Sequence, residues 1–113
     1  MIRDEGEAVV MVWTTLPGSS APSSFARALV TEGLAACVTA QEGLTSVFRW
    51  QGAVEEAVEH QLTIKTTAAR VDALERRIAE LHPYDVPEFL VSPVLSGSAA
   101  YLDWVRTSTQ GQI

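Results

Sequence analysis

"LTSVFRWQGAVEEAVEHQLTIKTT", from Leu44 to Thr67, consists of two alternating runs on either side of a turn dipeptide. In the first run Leu44, Phe48 and Trp50 recur on one side. Gln51-Gly52 interrupts it as a tight-turn signal. In the second run Val54, Val58, His60, Leu62 and Ile64 share one face, and Glu55, Glu59, Gln61 and Lys65 share the other. A period of two is the signature of a strand, so the stretch reads as a hairpin. Its arms run about a dozen residues, longer than the usual five or six. Aromatic residues sit near its tip, and a small domain has too little surface to cover such a ribbon. An exposed aromatic ribbon marks an interface, so an oligomer is expected.

Upstream, "AVVMVWTT" (Ala8 to Thr15) reads as a strand buried on both faces. "APSSFARALVTEGL" reads as a helix with Pro22 in its first turn, serines nearby as caps and Gly33 just past its end. "LAACVTAQ" (Leu34 to Gln41) reads as the second strand, leading into the hairpin. Downstream, "AARVDALERRIAELH" carries a helical stripe of Val71, Leu74, Ile78 and Leu81, and Pro83 stops it. "EFLVSPVL" reads as a long last strand in which Pro93 favours an edge or a bulge. "SGSAAYLDWVRTS" closes the chain as a short helix capped by Ser98. The order β-α-β-β-α-β-α predicts an α+β fold. Its core is a ferredoxin-like βαββαβ sandwich, with an extra C-terminal helix and the long β-hairpin.

The length of 113 residues suits a single domain, residues 1–113, with a core of about 8–107 and loose termini at both ends, "TQGQI" included. Apolar residues make up 47 %, enough for a core. Acids outnumber bases 14 to 8, for a net charge of −6. Without a basic patch, nucleic-acid binding is not expected. Cys37 is the single cysteine, so no intrachain disulfide and no paired-cysteine zinc or redox site can form. The N-terminal "MIRDEGEAVV" lacks a signal peptide's apolar core, and no apolar run approaches the roughly 20 residues of a membrane helix. A soluble, cytoplasmic protein is expected.

Taken together, "EGLAACVTA", "SVFRWQGAVEE", "LTIKTT", "LHPYDVPEFLVSPV" and "YLDWV", in that order, resemble the CutA family of divalent-cation tolerance proteins over roughly Val9 to Arg106. The resemblance implies a homotrimer in which long hairpins reach across to neighbouring subunits. It also implies similarity to the PII signalling proteins, which bind small ligands between subunits, and it implies copper or another divalent cation as ligand. Some members carry a histidine pair where this chain has Leu81-His82, and a cysteine where it has Trp13. Both proposed copper partners of His82 are thus replaced.

Three residues are candidate metal ligands. His82 offers imidazole to Cu(II), or else closes a helix with its charge against the C-terminal dipole. Cys37 offers thiolate to Cu(I), or else is a small buried hydrophobe. Glu88 binds a cation, or else fixes a loop. Glu55, Glu56 and Glu59 are read as a solvated face or as pairing across the trimer; Glu55 and Glu59 lie roughly 13 Å apart along a strand. Trp50, Lys65 and Tyr84 are cleft or interface candidates, a set that suits either a small ligand or subunit packing. His60 is read as a satisfied core or interface histidine. No nucleophile elbow, zinc-protease motif or phosphate loop is present, and no enzyme activity is expected. The leading function is therefore binding and tolerance of divalent metal ions by a cytoplasmic homotrimer. The alternative is a PII-like sensor or adaptor for a small anionic ligand.

Overall fold

The computed structural model describes residues 5–110. After a 3-10 turn at Glu5–Glu7, the elements are β1 (Val9–Pro17), α1 (Pro22–Thr31), β2 (Cys37–Trp50), β3 (Ala53–Thr67), α2 (Val71–Leu81), β4 (Leu90–Pro93) and α3 (Ala99–Ser108). The four strands form one sheet in the order β2-β3-β1-β4, with every neighbouring pair antiparallel. This is the ferredoxin-like α+β arrangement that the element order predicts, with α3 added.

The core follows from strand alternation. Val10, Val12 and Leu16 of β1 and Leu62 and Ile64 of β3 point to one face, where Phe25 and Leu29 of α1 and Leu74 and Ile78 of α2 cover them. Val9 points the other way and packs with Ala36 and Val105 of α3. Strand β1 is therefore not buried on both faces as expected. Met11, Trp13 and Thr15 are only half-buried, because α1 and α2 cover one face and α3 covers only one end of the other.

The hairpin is longer than expected, at 14 residues in β2 and 15 in β3. Gln51 and Gly52 turn it with φ of 49° and 83°. Positive φ at both central residues is the twist that a two-residue hairpin needs. The register slips between Gln41 and Leu44, making a bulge. Gly43 adopts φ 71° there and its N–H donates to His60 Nδ1 at 3.2 Å. Leu44, Phe48 and Trp50 share one face of the ribbon with Glu55 and Glu59. Beyond His60 the helix layer stops, so Val47, Val54 and Val58 are exposed on the opposite face.

Other expectations change locally. Helix α1 starts with Pro22, but Ala21 precedes it with no side-chain cap, and Ser24 instead donates to the Ala21 carbonyl. Gly33 does end it, at φ 74°. Ala68–Arg70 form a 3-10 turn before α2, and Leu81 at the end of the stripe is exposed. The last strand is only four residues long, yet Pro93 lies in an edge strand as read. Ser98 caps α3 by accepting from the Tyr101 N–H. The expected loose ends fall mostly outside the described residues. Within them Thr109 is buried and donates to the Val105 carbonyl at 2.8 Å.

Candidate functional site

The connector after α2 builds the site. His82, the residue before Pro83, is extended at φ −85° and ψ 137°, as a residue preceding proline prefers. Its N–H donates to the Ile78 carbonyl and ends the helix. The ring is buried, with Nδ1 accepting the Tyr84 N–H at 3.1 Å and Nε2 lying 2.5 Å from the Thr15 carbonyl. An acceptor at Nδ1 requires the proton on Nε2, which donates to Thr15. Both ring nitrogens of this candidate metal ligand are thus engaged by backbone, with neither free for a metal. Its edge meets Phe25, with ring centroids 6.3 Å apart, and it lies under Tyr84 at 4.9 Å.

Pinned in this way, the connector turns Tyr84 toward the hairpin, where its hydroxyl donates to Glu59 Oε2 at 3.0 Å. Glu59 is only 8 % exposed, so it does not form part of a solvated acidic face, one of the two readings of that cluster. Alternation assigned its face correctly but gave no sign that a tyrosine from another element would cover it. Further along the connector, Glu88 Oε2 is buried without a hydrogen-bond partner among the described residues. Burial, and then the charge of Glu59, hold the Glu88 carboxyl above its ordinary range. Burial, followed by the hydrogen bond and charge of Glu59, raises the Tyr84 phenol.

These groups line a cleft of about 860 Å³ between the hairpin and the connector. Phe48 and Trp50 form apolar wall, and Glu55, Glu59, Asp85 and Glu88 supply four carboxyl groups. No lysine, arginine or histidine lines it among the described residues.

The sequence candidates are therefore divided. Glu88, Tyr84 and Trp50 share the cleft, while His82 lies behind it. Cys37 is half-buried, paired across the sheet with Lys65, its Sγ 3.9 Å from Thr39 Oγ1. Lys65 leaves the cleft set altogether, with its ammonium 5.6 Å over the Tyr101 ring of α3. Among the described residues no three histidine, cysteine, aspartate or glutamate side chains group as a metal cage. His60, buried and bonded through both nitrogens to Gly43 N and Gly18 O, joins the hairpin bulge to the β1–α1 loop.

Comparison with known proteins gives this geometry its context. The family model described as CutA1 divalent ion tolerance protein matches residues 10–108. The chain is 46 % identical to the divalent-cation tolerance protein CutA of Thermus thermophilus, over 91 % of this chain and 98 % of that protein. It is 37 % identical to the Escherichia coli protein of the same name, over 94 % and 95 % respectively. The crystal structure of CutA1 from Oryza sativa superposes with a TM-score of 0.89 at 35 % identity, covering 96 % of this chain and all of that one. These names describe tolerance rather than a reaction, and none favours a PII-like sensor. On a match that spans the sheet, the hairpin and the connector, the chain belongs to the CutA1 divalent ion tolerance protein family.

Proposed function

We propose that the protein serves divalent-cation tolerance as a cytoplasmic homotrimer whose acid-lined cleft holds a cation loosely. The observation that carries this reading is the buried, unpartnered Glu88 Oε2 in a cleft with three more carboxyl groups and no base among its described lining. A buried carboxylate oxygen without a donor is costly, and a cation relieves it. The same charge repels anions, which removes support from the anionic-ligand alternative. Carboxylate and phenol oxygens suit oxygen-preferring ions such as magnesium or calcium better than copper. Copper's softer donors, His82 and Cys37, lie outside the cleft, so copper should bind no tighter than roughly micromolar.

The trimer is supported by the hairpin. Val47, Phe48, Trp50, Val54 and Val58 are 40–66 % exposed. The radius of gyration is 15.0 Å, against about 13 Å for a compact chain of this length. No helix among the described residues is long and apolar enough to cross a membrane.

Calorimetric titration of Mg(II) and Cu(II) into the wild type and Glu88→Gln, with mass by light scattering, tests the reading. Weak binding lost in Glu88→Gln is the expected result. Binding equal in the two proteins would remove the cleft from the function.

A further inference from the structure

We propose that the hairpin is a hinged arm, and that a latch of His60 and Gly18 fixes its angle before the copies of the chain meet. The inference rests on the trimer reading, because it gives that angle a role in assembly.

The hinge lies at the root of the hairpin. Strands β2 and β3 pair in unbroken register except between Gln41 and Leu44. Strand β1 accompanies β3 only as far as the pair Pro17 and Glu59, so residues 45–58 form a ribbon of two strands. Such a ribbon twists more than a wide sheet and is marginal by itself. A bulge at its root bends one strand and adds twist, so the direction of the arm is decided there. Among the described residues no hydrogen bond or ion pair ties residues 45–57 to anything outside the hairpin.

The latch crosses that root. His60 is 7 % exposed and stands where β1 ends, opposite Leu16. Its Nδ1 accepts the N–H of Gly43, the bulge residue, at 3.2 Å. The proton is therefore on Nε2, which donates to the Gly18 carbonyl at 3.2 Å. Gly18 returns the contact, because its own N–H donates to the Val58 carbonyl at 2.9 Å. A Cβ on Gly18 would lie 2.9 Å from that oxygen and 3.0 Å from Val58 Cγ1, so the loop reaches the arm this closely only as glycine. Three hydrogen bonds thus join both strands of the arm to a loop that follows directly on the core residue Leu16. On the opposite face Tyr84 holds Glu59 at the same level. An arm aligned in advance loses less freedom on docking, so the latch strengthens association without touching a partner.

The test compares the wild type with His60→Gln, His60→Leu and Gly18→Ala. Glutamine keeps an acceptor and a donor, whereas leucine fills the space with neither. Amide hydrogen exchange reads local opening at Gly43 and at Ile64 in the core. Light scattering over a dilution series reads association, and circular dichroism reads the fold. His60→Leu should lose at least tenfold of the protection at Gly43 and keep it at Ile64. His60→Leu and Gly18→Ala should each associate at least tenfold more weakly, and His60→Gln should stay within threefold of the wild type on both readouts. Unchanged Gly43 protection in His60→Leu overturns the latch. Equal losses at Gly43 and Ile64 also overturn it, since His60 would then hold the whole fold rather than the arm. A trimeric wild type whose association neither His60→Leu nor Gly18→Ala weakens sinks this inference and leaves the trimer reading standing. A wild type that stays monomeric sinks both.

Discussion

The Tyr84 hydroxyl donates to Glu59 Oε2 at 3.0 Å and so fastens the α2–β4 connector to the long arm of the hairpin. The two residues lie 25 positions apart in the chain, and their contact closes one side of the acidic cleft. Tyr84 is also held from behind, by the His82 ring under its N–H.

Removing that hydroxyl in Tyr84→Phe should cost about 1 kcal/mol, the net worth of one hydrogen bond at a partly exposed site. Urea denaturation measures it. The phenol is also raised above the ordinary tyrosine range by burial and by Glu59. A raised folded value means that this stabilisation is fully present below about pH 10 and is lost as pH climbs through the folded value. Absorbance titration near 295 nm should show one of the two tyrosines ionising late. That late component should be missing in Tyr84→Phe, and its survival would assign it to Tyr101.

Glu88 should behave oppositely to a salt-bridged acid. Its carboxyl is held above the usual range, first by burial and then by Glu59, so the fold favours the protonated form. Its contribution is therefore fully present below the ordinary glutamate value near 4.5 and declines as pH rises through the raised one. Glu88→Gln should accordingly be more stable than the wild type at pH 7 in metal-free buffer, with the difference closing toward pH 3. Denaturant midpoints across that range check it. A glutamine variant less stable at pH 7 would mean that the carboxylate is paired.

His82→Ala should weaken the fold by about 2–4 kcal/mol, since it removes two hydrogen bonds and leaves the Thr15 carbonyl and Tyr84 N–H without partners. Copper affinity of the folded variant should stay within a factor of two of the wild type, because both ring nitrogens are already engaged. A tenfold loss of Cu(II) binding at preserved fold would show that the ring can leave Thr15 to take a metal.

Light scattering should give three times the 12.2 kDa chain mass. Trp50, 43 % exposed in the single chain, should be covered in the trimer, so Trp50→Ala should cost about 3–5 kcal/mol and shift the mass downward with dilution. An unchanged midpoint would place the interface elsewhere.

Period-two alternation, helical stripes and proline stops were enough to order the elements, because each is a local demand of backbone geometry on neighbouring residues. Hairpin turn, edge proline and Ser98 cap are legible for the same reason: glycine φ, a missing N–H and a hydroxyl acceptor act within a few positions. Glu88 and Tyr84 could be named from the chain as site candidates, and the structure puts them with Trp50 in one cleft. Burial of Glu59 was not legible, because the tyrosine that covers it arrives from another element. Nor was the displacement of Lys65, which alternation placed on the face of Glu59 but which sits under α3, further along the strand. Cys37 and His82 could be counted as donors in sequence, yet only packing decided that one faces Lys65 and the other spends both nitrogens on backbone. Residue types and local spacing were thus decided by the sequence alone. Which of those groups meet, and which are left without a partner, was decided by how the connector folds back on the hairpin, since desolvation and hydrogen bonding depend on neighbours distant in the chain.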